Sequence, residues 1–446
     1  MSHYRTRFAP SPTGFLHIGG LRTALYAYAI AKHNGGDFIL RIEDTDQKRV
    51  VEGAVDSLQT ILKKFGLVWD ELYVQSERQK VGIYERAAKK LVDQGNAFYC
   101  QCKPKNAKEE GFSIGLRDIC RDKKLTSGAI KLKVPENNKI AYFDFVHKKE
   151  ISWNTADVYD ATLLKSDGFP TYHLAVAVDD LDMRITHILR GHDWLPSTPI
   201  HLLVFSYLGG NRPEIGHVTD ILSAQTGKKL SKRRDSVYAE QFLTDGYLPE
   251  ALLNFVMLLG WAPKDNKEIF TLHDFVTEFD INGLQEANPK FFREKLDWMN
   301  GEYIRKSRAS YLISQIYKFY GGKYTKEVIE RVLPLVKTRI TKLSEFGTMA
   351  DFFFNEPSVD VKLFEKDYRD HLQNALEVIE SMQEWNLDKL ESLLLERIDR
   401  KKFHKGDFFM SLRIAVTGTR FTPPINESLI VLGKDKALKR LKKLLK

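Results

Sequence analysis

The chain has only three cysteines in 446 residues. That is too few for a disulfide framework and suits a reducing compartment. It also has no apolar run near the ~18 residues a membrane helix needs. The best candidate, Ala251 to Trp261, is short and broken by Asn254. Internal repeats and low-complexity tracts are absent. The opening Met1-Ser-His-Tyr-Arg-Thr-Arg runs straight into a folded-looking segment without an apolar signal core. The expectation is a cytoplasmic protein with no membrane partner. Charge is plentiful: 68 Lys and Arg against 59 Asp and Glu give a net charge of +9, which favours a polyanionic partner. The length suggests two to four domains at ~100–200 residues each, with cores large enough to need no metal or disulfide staple.

The first 65 residues alternate strand and helix. Arg5 to Ala9 is a short strand ended by Pro10 and Pro12, since proline cannot donate to a sheet ladder. Ile18, Leu21, Leu25 and Tyr28 recur at helical spacing, and Gly35-Gly36 closes that helix. Phe38 to Ile42 is an apolar strand leading into Glu43-Asp44-Thr45-Asp46, and Val55, Leu58, Leu62 and Phe65 mark a second helix. This order argues for a parallel α/β sheet. From about residue 96 to 168 the pattern weakens, as in an insertion, with short strands near Ile130–Val134 and Tyr142–Val146. It resumes at Pro170–Val178 and Ile185–Arg190. Beyond Lys306 only helical periodicity is visible, in Val328, Ile329, Val332, Val336 and Ile340 and in Leu372, Leu376, Ile379 and Met382. The last helix, Lys434 to Lys446, is Lys-rich and reads as a solvated face.

Two loops carry chemistry. Ala9-Pro-Ser-Pro-Thr-Gly-Phe-Leu-His-Ile-Gly-Gly20 is a strand-to-helix turn, and a helix N-terminus offers unpaired N–H groups and a positive dipole end to an anion. Gly19 and Gly20 leave room for a base or phosphate against the backbone, and His17 can donate to charge developing on a phosphoryl group. The plain alternative is a turn with a surface histidine. In Gly227-Lys-Lys-Leu-Ser-Lys-Arg-Arg234, five of the seven residues after the glycine are basic. Such density suits a triphosphate, or is simply a solvated loop or localisation signal.

Together, His17-Ile-Gly-Gly20 and Lys229-Leu-Ser-Lys-Arg233 resemble the paired HIGH and KMSKS motifs of class I aminoacyl-tRNA synthetases, and the chain is most similar to the glutamyl-tRNA synthetases of bacterial type. The resemblance runs through Arg7-Phe-Ala-Pro-Ser-Pro-Thr-Gly14, Arg41-Ile-Glu-Asp-Thr-Asp46, Pro170-Thr-Tyr-His173, Val178-Asp-Asp180, Arg190-Gly-His-Asp-Trp194, Lys295-Leu-Asp-Trp298 and Leu412-Arg-Ile-Ala-Val-Thr-Gly418. It implies a Rossmann-type catalytic region over 1–305, with an acceptor-end-binding insertion at about 96–168 and a stem-contact region at about 240–305. An all-α anticodon-binding domain over 306–446 would follow. The implied reaction joins L-glutamate to tRNA(Glu) through a glutamyl-adenylate, using ATP with Mg2+ and no protein nucleophile, so positioning and charge stabilisation carry catalysis. A monomer is the family norm.

By resemblance, His17 meets the α-phosphate, Gly19 and Gly20 the adenosine, and Asp193 the ribose. Lys229 and Lys232 meet the leaving diphosphate, with Ser231 and Arg233 completing that loop. Glutamate's two carboxylates and ammonium call for guanidinium forks and a carboxylate. Arg7 and Arg190 are the forks and Glu43 the ammonium partner, with Ser11, Tyr172 and the backbone of Ala9 adding contacts. A glutamine amide would leave a buried guanidinium poorly paired, hence its rejection. Val176 replaces an asparagine found in the pocket of some relatives.

Cys100-Gln-Cys102 and Cys120 resemble the zinc cluster of some bacterial members, whose fourth ligand is a histidine two residues past the third cysteine or a nearby tyrosine. Here those positions are Asp122 and Leu116. Structural zinc takes four ligands, so Asp122 is the candidate fourth, and a metal-free remnant is the alternative. Other readings are a tRNA-modifying enzyme with a related catalytic half, which lacks an anticodon domain, a glutaminyl enzyme, whose anticodon part is β-barrel, and a catalytically dead RNA-binding protein. A non-discriminating enzyme that also charges tRNA(Gln) is the alternative within the family. Replacing His17 by alanine is expected to slow adenylate formation ~10²–10³-fold, the usual loss of one transition-state donor. A folded His17→Ala protein with full pyrophosphate exchange would remove the histidine from the chemistry.

Overall fold

The computed structural model describes residues 3–102, 116–231, 237–365 and 367–446. The chain divides into two compact units, Met1–Gln241 with Leu252–Phe292, and Phe242–Ala251 with Arg293–Lys446. Among the described residues no helix is long and apolar enough to cross a membrane.

The first unit holds β1 (Arg5–Phe8), β2 (Asp37–Ile42), β3 (Glu71–Val74), β4 (Ala97–Cys100), β5 (Ala129–Leu132), β6 (Lys139–Asp144), β7 (Lys149–Asn154), β8 (Thr162–Leu164), β9 (His187–Gly191), β10 (Glu214–Val218), β11 (Leu222–Ser223) and β12 (Lys290–Phe291). Seven of them form one sheet in the order β3-β2-β1-β9-β10-β6-β7. Every neighbouring pair is parallel except β6 and β7, an antiparallel hairpin on one edge. The expected parallel α/β sheet is therefore present. Within the expected insertion at 96–168 the strands divide between two sheets. β4, β5 and β8 make their own antiparallel sheet, whereas the β6–β7 hairpin extends the main one. Ile215 of β10 pairs with Asp144 of β6, and that register draws the hairpin into the larger sheet.

Helix α1 (Ile18–His33) crosses from β1 to β2 and is apolar nearly all round, with Ile18, Leu21, Ala24, Leu25, Tyr26, Ala27, Ala29, Ile30 and Ala31 buried. Such a helix belongs inside a core. It ends at Gly35, where φ is +66°, and a Cβ on Gly36 would lie 2.0 Å from the carbonyl oxygen of Tyr4. Only glycine permits that return into β2. On one side Tyr26 meets Phe275 and Phe279, whose rings pack with that of Trp261. Tyr26 also donates from its hydroxyl to the Met257 carbonyl at 3.1 Å.

The second unit has no β-strand among its described residues. Its core joins Ile304, Leu312, Ile316, Ile329, Val332, Val336, Phe346, Leu372, Ile379, Leu394, Phe408, Leu412, Leu429 and Leu441. The periodic positions named above lie in or against that core, and Phe346, Phe352 and Phe353 are buried in it. Helix Arg293–Lys306 belongs to this compact unit, and its Ile304 packs among the helical residues.

Trp261 is buried and donates from Nε1 to the Asp280 carbonyl at 3.0 Å. Trp261→Ala is expected to cost ~3–5 kcal/mol, read as a loss of denaturant midpoint. An unchanged midpoint would show that the aromatic cluster behind α1 is not a stability element.

Candidate active site

Strand order reverses around β1 and β9, and ligand crevices in open α/β sheets form at such switch points above the carboxyl ends. A cavity of about 510 Å³ lies there. It is lined by Arg7, Ala9 and Ser11 from β1 and the loop after it, by His17, Gly19 and Gly20 at the start of α1, and by Glu43 after β2. Tyr172, Arg190, Asp193, Lys229 and Ser231 close it. Every expected ATP and glutamate residue meets here except Lys232 and Arg233, which lie outside the described residues.

Backbone pairing explains how two loops far apart in sequence share the cleft. Ile18 donates to the Val237 carbonyl and Ala239 to that of Leu16, both at 2.8 Å, while Leu230 donates to Ile221 at 2.9 Å. Both flanks of the lysine-bearing loop are thereby anchored, one of them to the histidine turn. His17 caps α1 in an extended conformation, and its Nδ1 accepts from the Gly19 N–H at 2.9 Å. The ring proton then sits on Nε2, the form that can donate to an anion. Lys229 Nζ lies 2.7 Å from Asp193 and 2.8 Å from Asp220. Burial opposes its charge, but the hydrogen bonds it donates to the two carboxylates outweigh that and hold its pKa above the ordinary value. Asp193, expected at a ribose, is the partner of Lys229 here.

The charged floor was only half legible. Arg7 is buried, not a surface arginine. Its Nε donates to Asp180 Oδ1 at 3.0 Å and its Nη1 to the Leu189 carbonyl at 3.2 Å. Arg41, wholly buried, reaches Asp180 at 2.6 Å and Glu43 at 3.0 Å. Burial raises the Glu43 pKa against the pull of Arg41 and Arg7. Burial also works against an ionised Asp180, but the same two arginines prevail and lower its pKa. Sequence reading gave no role to Arg41, Asp180, Asp144, His201 or His217. A usable signal existed in Val178-Asp-Asp180, an acidic pair directly after the apolar run Leu174–Val178 of one helix (Tyr172–Asp182), because buried carboxylates demand partners. Tyr172 stacks on Trp194 at 4.1 Å and accepts a long hydrogen bond from Arg190 at 3.5 Å.

The cysteines converge, but with another carboxylate. Ligand atoms of Cys100, Cys102, Cys120 and Asp118 lie within 4.8 Å of one another. Asp122, the expected fourth ligand, is instead exposed, 3.4 Å from Lys133. The turn after Asp118 decides this, because the Cys120 N–H donates to the Asp118 carboxylate at 2.8 Å and folds that side chain toward the sulfurs. Lys131 also pairs with Asp118 at 2.6 Å. Burial pushes the Cys100 thiol up to about 12. A divalent cation would supply the opposite charge that a buried thiolate otherwise lacks, and three sulfurs plus one oxygen suit zinc.

The family described as "tRNA synthetases class I (E and Q), catalytic domain" matches residues 3–298, and "Anticodon binding domain" matches 303–445. Glutamate–tRNA ligases of Finegoldia magna and Clostridium tetani are each 38% identical, over 100% of both chains for the first and over 98% of this chain and 96% of the relative for the second. A solved glutamate tRNA ligase from Elizabethkingia meningosepticum, in complex with its amino acid, is similar at a TM-score of 0.88 and 31% identity, covering 100% of this chain and 99% of that one. The synthetase structure from Elizabethkingia anophelis gives 0.86 and 30%, covering 100% of both. Sequence, fold and the shared cleft agree: the chain belongs to the glutamate–tRNA ligase family of class I aminoacyl-tRNA synthetases.

Proposed function

We propose that this enzyme activates L-glutamate with magnesium-bound ATP and transfers it to tRNA(Glu) in the cytoplasm. The observation that carries the reading is the convergence of His17, Lys229, Arg7 and Arg190 on one cavity. One wall offers anion donors for phosphates and the other offers guanidinium groups for carboxylates. Glutamate's α-carboxylate attacks the α-phosphorus of ATP, forming the adenylate and releasing diphosphate. The 2′-hydroxyl of the tRNA end then attacks the acyl carbon and AMP leaves. His17 Nε2–H faces the charge that builds on the α-phosphoryl oxygens, and Lys229 takes charge on the leaving diphosphate. Asp193 and Asp220 keep that ammonium protonated and hold it at the cavity mouth.

Arg7 and Arg190 differ in a way that assigns their roles. Arg7 already carries the Asp180 carboxylate, whereas Arg190 bonds only neutral groups. Its net charge is available, so Arg190 takes the substrate's side-chain carboxylate. Glu43, at the cavity edge beside Arg41, accepts the ammonium. In the helical unit, a cavity lined by Arg339, Arg413, Arg420 and the exposed Phe421 offers cations and an aromatic face suited to an unpaired base on its backbone. The sheet β4-β5-β8 is proposed as the acceptor-end contact. Zinc held by Cys100, Cys102, Cys120 and Asp118 would tie the end of β4 to the 118–120 turn as a structural cross-link.

Pyrophosphate exchange with glutamate, ATP and tRNA tests the activity. The expected result is exchange with glutamate and not with glutamine, and no exchange with any tRNA would refute it. Arg190→Met is expected to raise the glutamate KM ~10–10²-fold, the loss of a charge-assisted hydrogen bond, with the ATP KM unmoved. Protein purified without chelator is expected to hold one zinc per chain, and Asp118→Ala to lose it while Asp122→Ala keeps it. Zinc-free protein, or loss of the metal on Asp122→Ala alone, would reject the site.

A further inference from the structure

Arg190 is buried at the end of β9, yet among the described residues no carboxylate pairs with it. Its Nε donates to His217 Nε2 at 3.0 Å, its Nη1 to His201 Nδ1 at 2.8 Å, and its Nη2 to Thr198 Oγ1 at 2.8 Å. Three directions of the fork are thus held by uncharged acceptors. Both rings are fixed in the accepting form by groups farther out. His217 Nδ1 donates to Asp144 Oδ2 at 2.7 Å, and that carboxylate also accepts from Tyr142 at 2.7 Å and from the Val146 and His147 N–H groups at 3.0 Å. His201 Nε2 faces His173 Nδ1 at 3.3 Å, and His173 Nε2 faces the Tyr159 hydroxyl at 3.2 Å. Each ring therefore keeps its proton on the side away from Arg190.

We propose that His217 and His201 are positioning residues that hold Arg190 through neutral acceptors, so that its full charge is left for the substrate's side-chain carboxylate. Rigid placement alone does not need histidine. A carboxylate at either position would hold the fork as firmly, but it would also neutralise it, as Asp180 does for Arg7. A guanidinium already paired gains little from a second carboxylate and loses little with an amide, so the choice of neutral acceptors sets glutamate against glutamine. Burial and the Arg190 charge keep His201 well below its ordinary pKa, and burial brings His217 to about 4 despite Asp144, so both stay uncharged at neutral pH. Asp144, brought down to about 2 by its hydrogen bonds with His217, His147 and Tyr142 in spite of burial, stays ionised and locks the His217 tautomer.

This inference rests on the glutamate-activating reading, so wild-type exchange with glutamate and tRNA is measured first; its absence would fell that reading, not the cradle alone. With wild type active, His217→Leu is expected to raise the glutamate KM at least 10-fold and leave the ATP KM within 2-fold. His217→Gln, which restores an acceptor, is expected to recover most of that loss. His201→Glu is expected to cut the glutamate-to-glutamine ratio of kcat/KM at least 10-fold, and His201→Gln much less. An unchanged glutamate KM in His217→Leu, or equal rises in both KM values that His217→Gln does not relieve, would overturn the proposal. If His217→Leu does not fold, the His201 pair decides, and an unaltered ratio in His201→Glu overturns it.

Discussion

The active cleft depends on an uneven neutralisation of buried arginines. Asp180 sits at the bottom, wholly buried, with Arg7 at 3.0 Å and Arg41 at 2.6 Å. A charge taken from water costs several kcal/mol unless it is paired and hydrogen-bonded. The Arg7 and Arg41 ions therefore persist only because acidic side chains rise from the same helix and from the end of β2. Asp179 extends the network, accepting from Arg78 at 2.7 Å, Gln75 at 2.8 Å and Tyr84 at 3.0 Å. Arg190 stands outside this compensation. The contrast turns a cluster of like side chains into a site with one guanidinium held by neutral acceptors alone, the feature on which the proposed choice of glutamate rests.

The fold supplies the location. A parallel sheet whose strand order reverses at β1 and β9 leaves its carboxyl ends open, and α1 starts there, with the Ile18 N–H bonded to the Val237 carbonyl and the Gly19 N–H to the His17 ring. His17 spends Nδ1 on capping that helix, which leaves the ring proton on Nε2. The packing of Tyr26 with Phe275 and Phe279 holds α1 from behind. Burial also bonds Arg22 to the Thr219 and Leu259 carbonyls, linking α1 to the chain that leads to Lys229. The histidine and lysine turns are therefore built on anchored elements, although His17 and Lys229 both lie at loop ends.

Much of this was legible beforehand, and the misses have physical causes. The turn at Pro10 to Gly20 and the lysine loop were visible because glycine, proline and dense basic charge are local signals. The helical unit was visible because a 3.6-residue period needs no knowledge of partners. Asp122 was chosen over Asp118 by counting along the chain, whereas the backbone turn at Cys120 decides which carboxylate faces the sulfurs. That the β6–β7 hairpin joins the main sheet was not legible, because strand pairing over long separations leaves no trace in local pattern.

By itself, the sequence determined which chemical groups are at hand: a histidine between two prolines and a glycine pair, a lysine-rich stretch and scattered arginines are covalent facts that no folding alters. Tertiary structure alone decided which arginine is neutralised and which is left charged. That difference is set by distances of about 3 Å between residues more than a hundred positions apart, and electrostatic pairing in a buried site depends on separation and dielectric, neither of which is written in residue order.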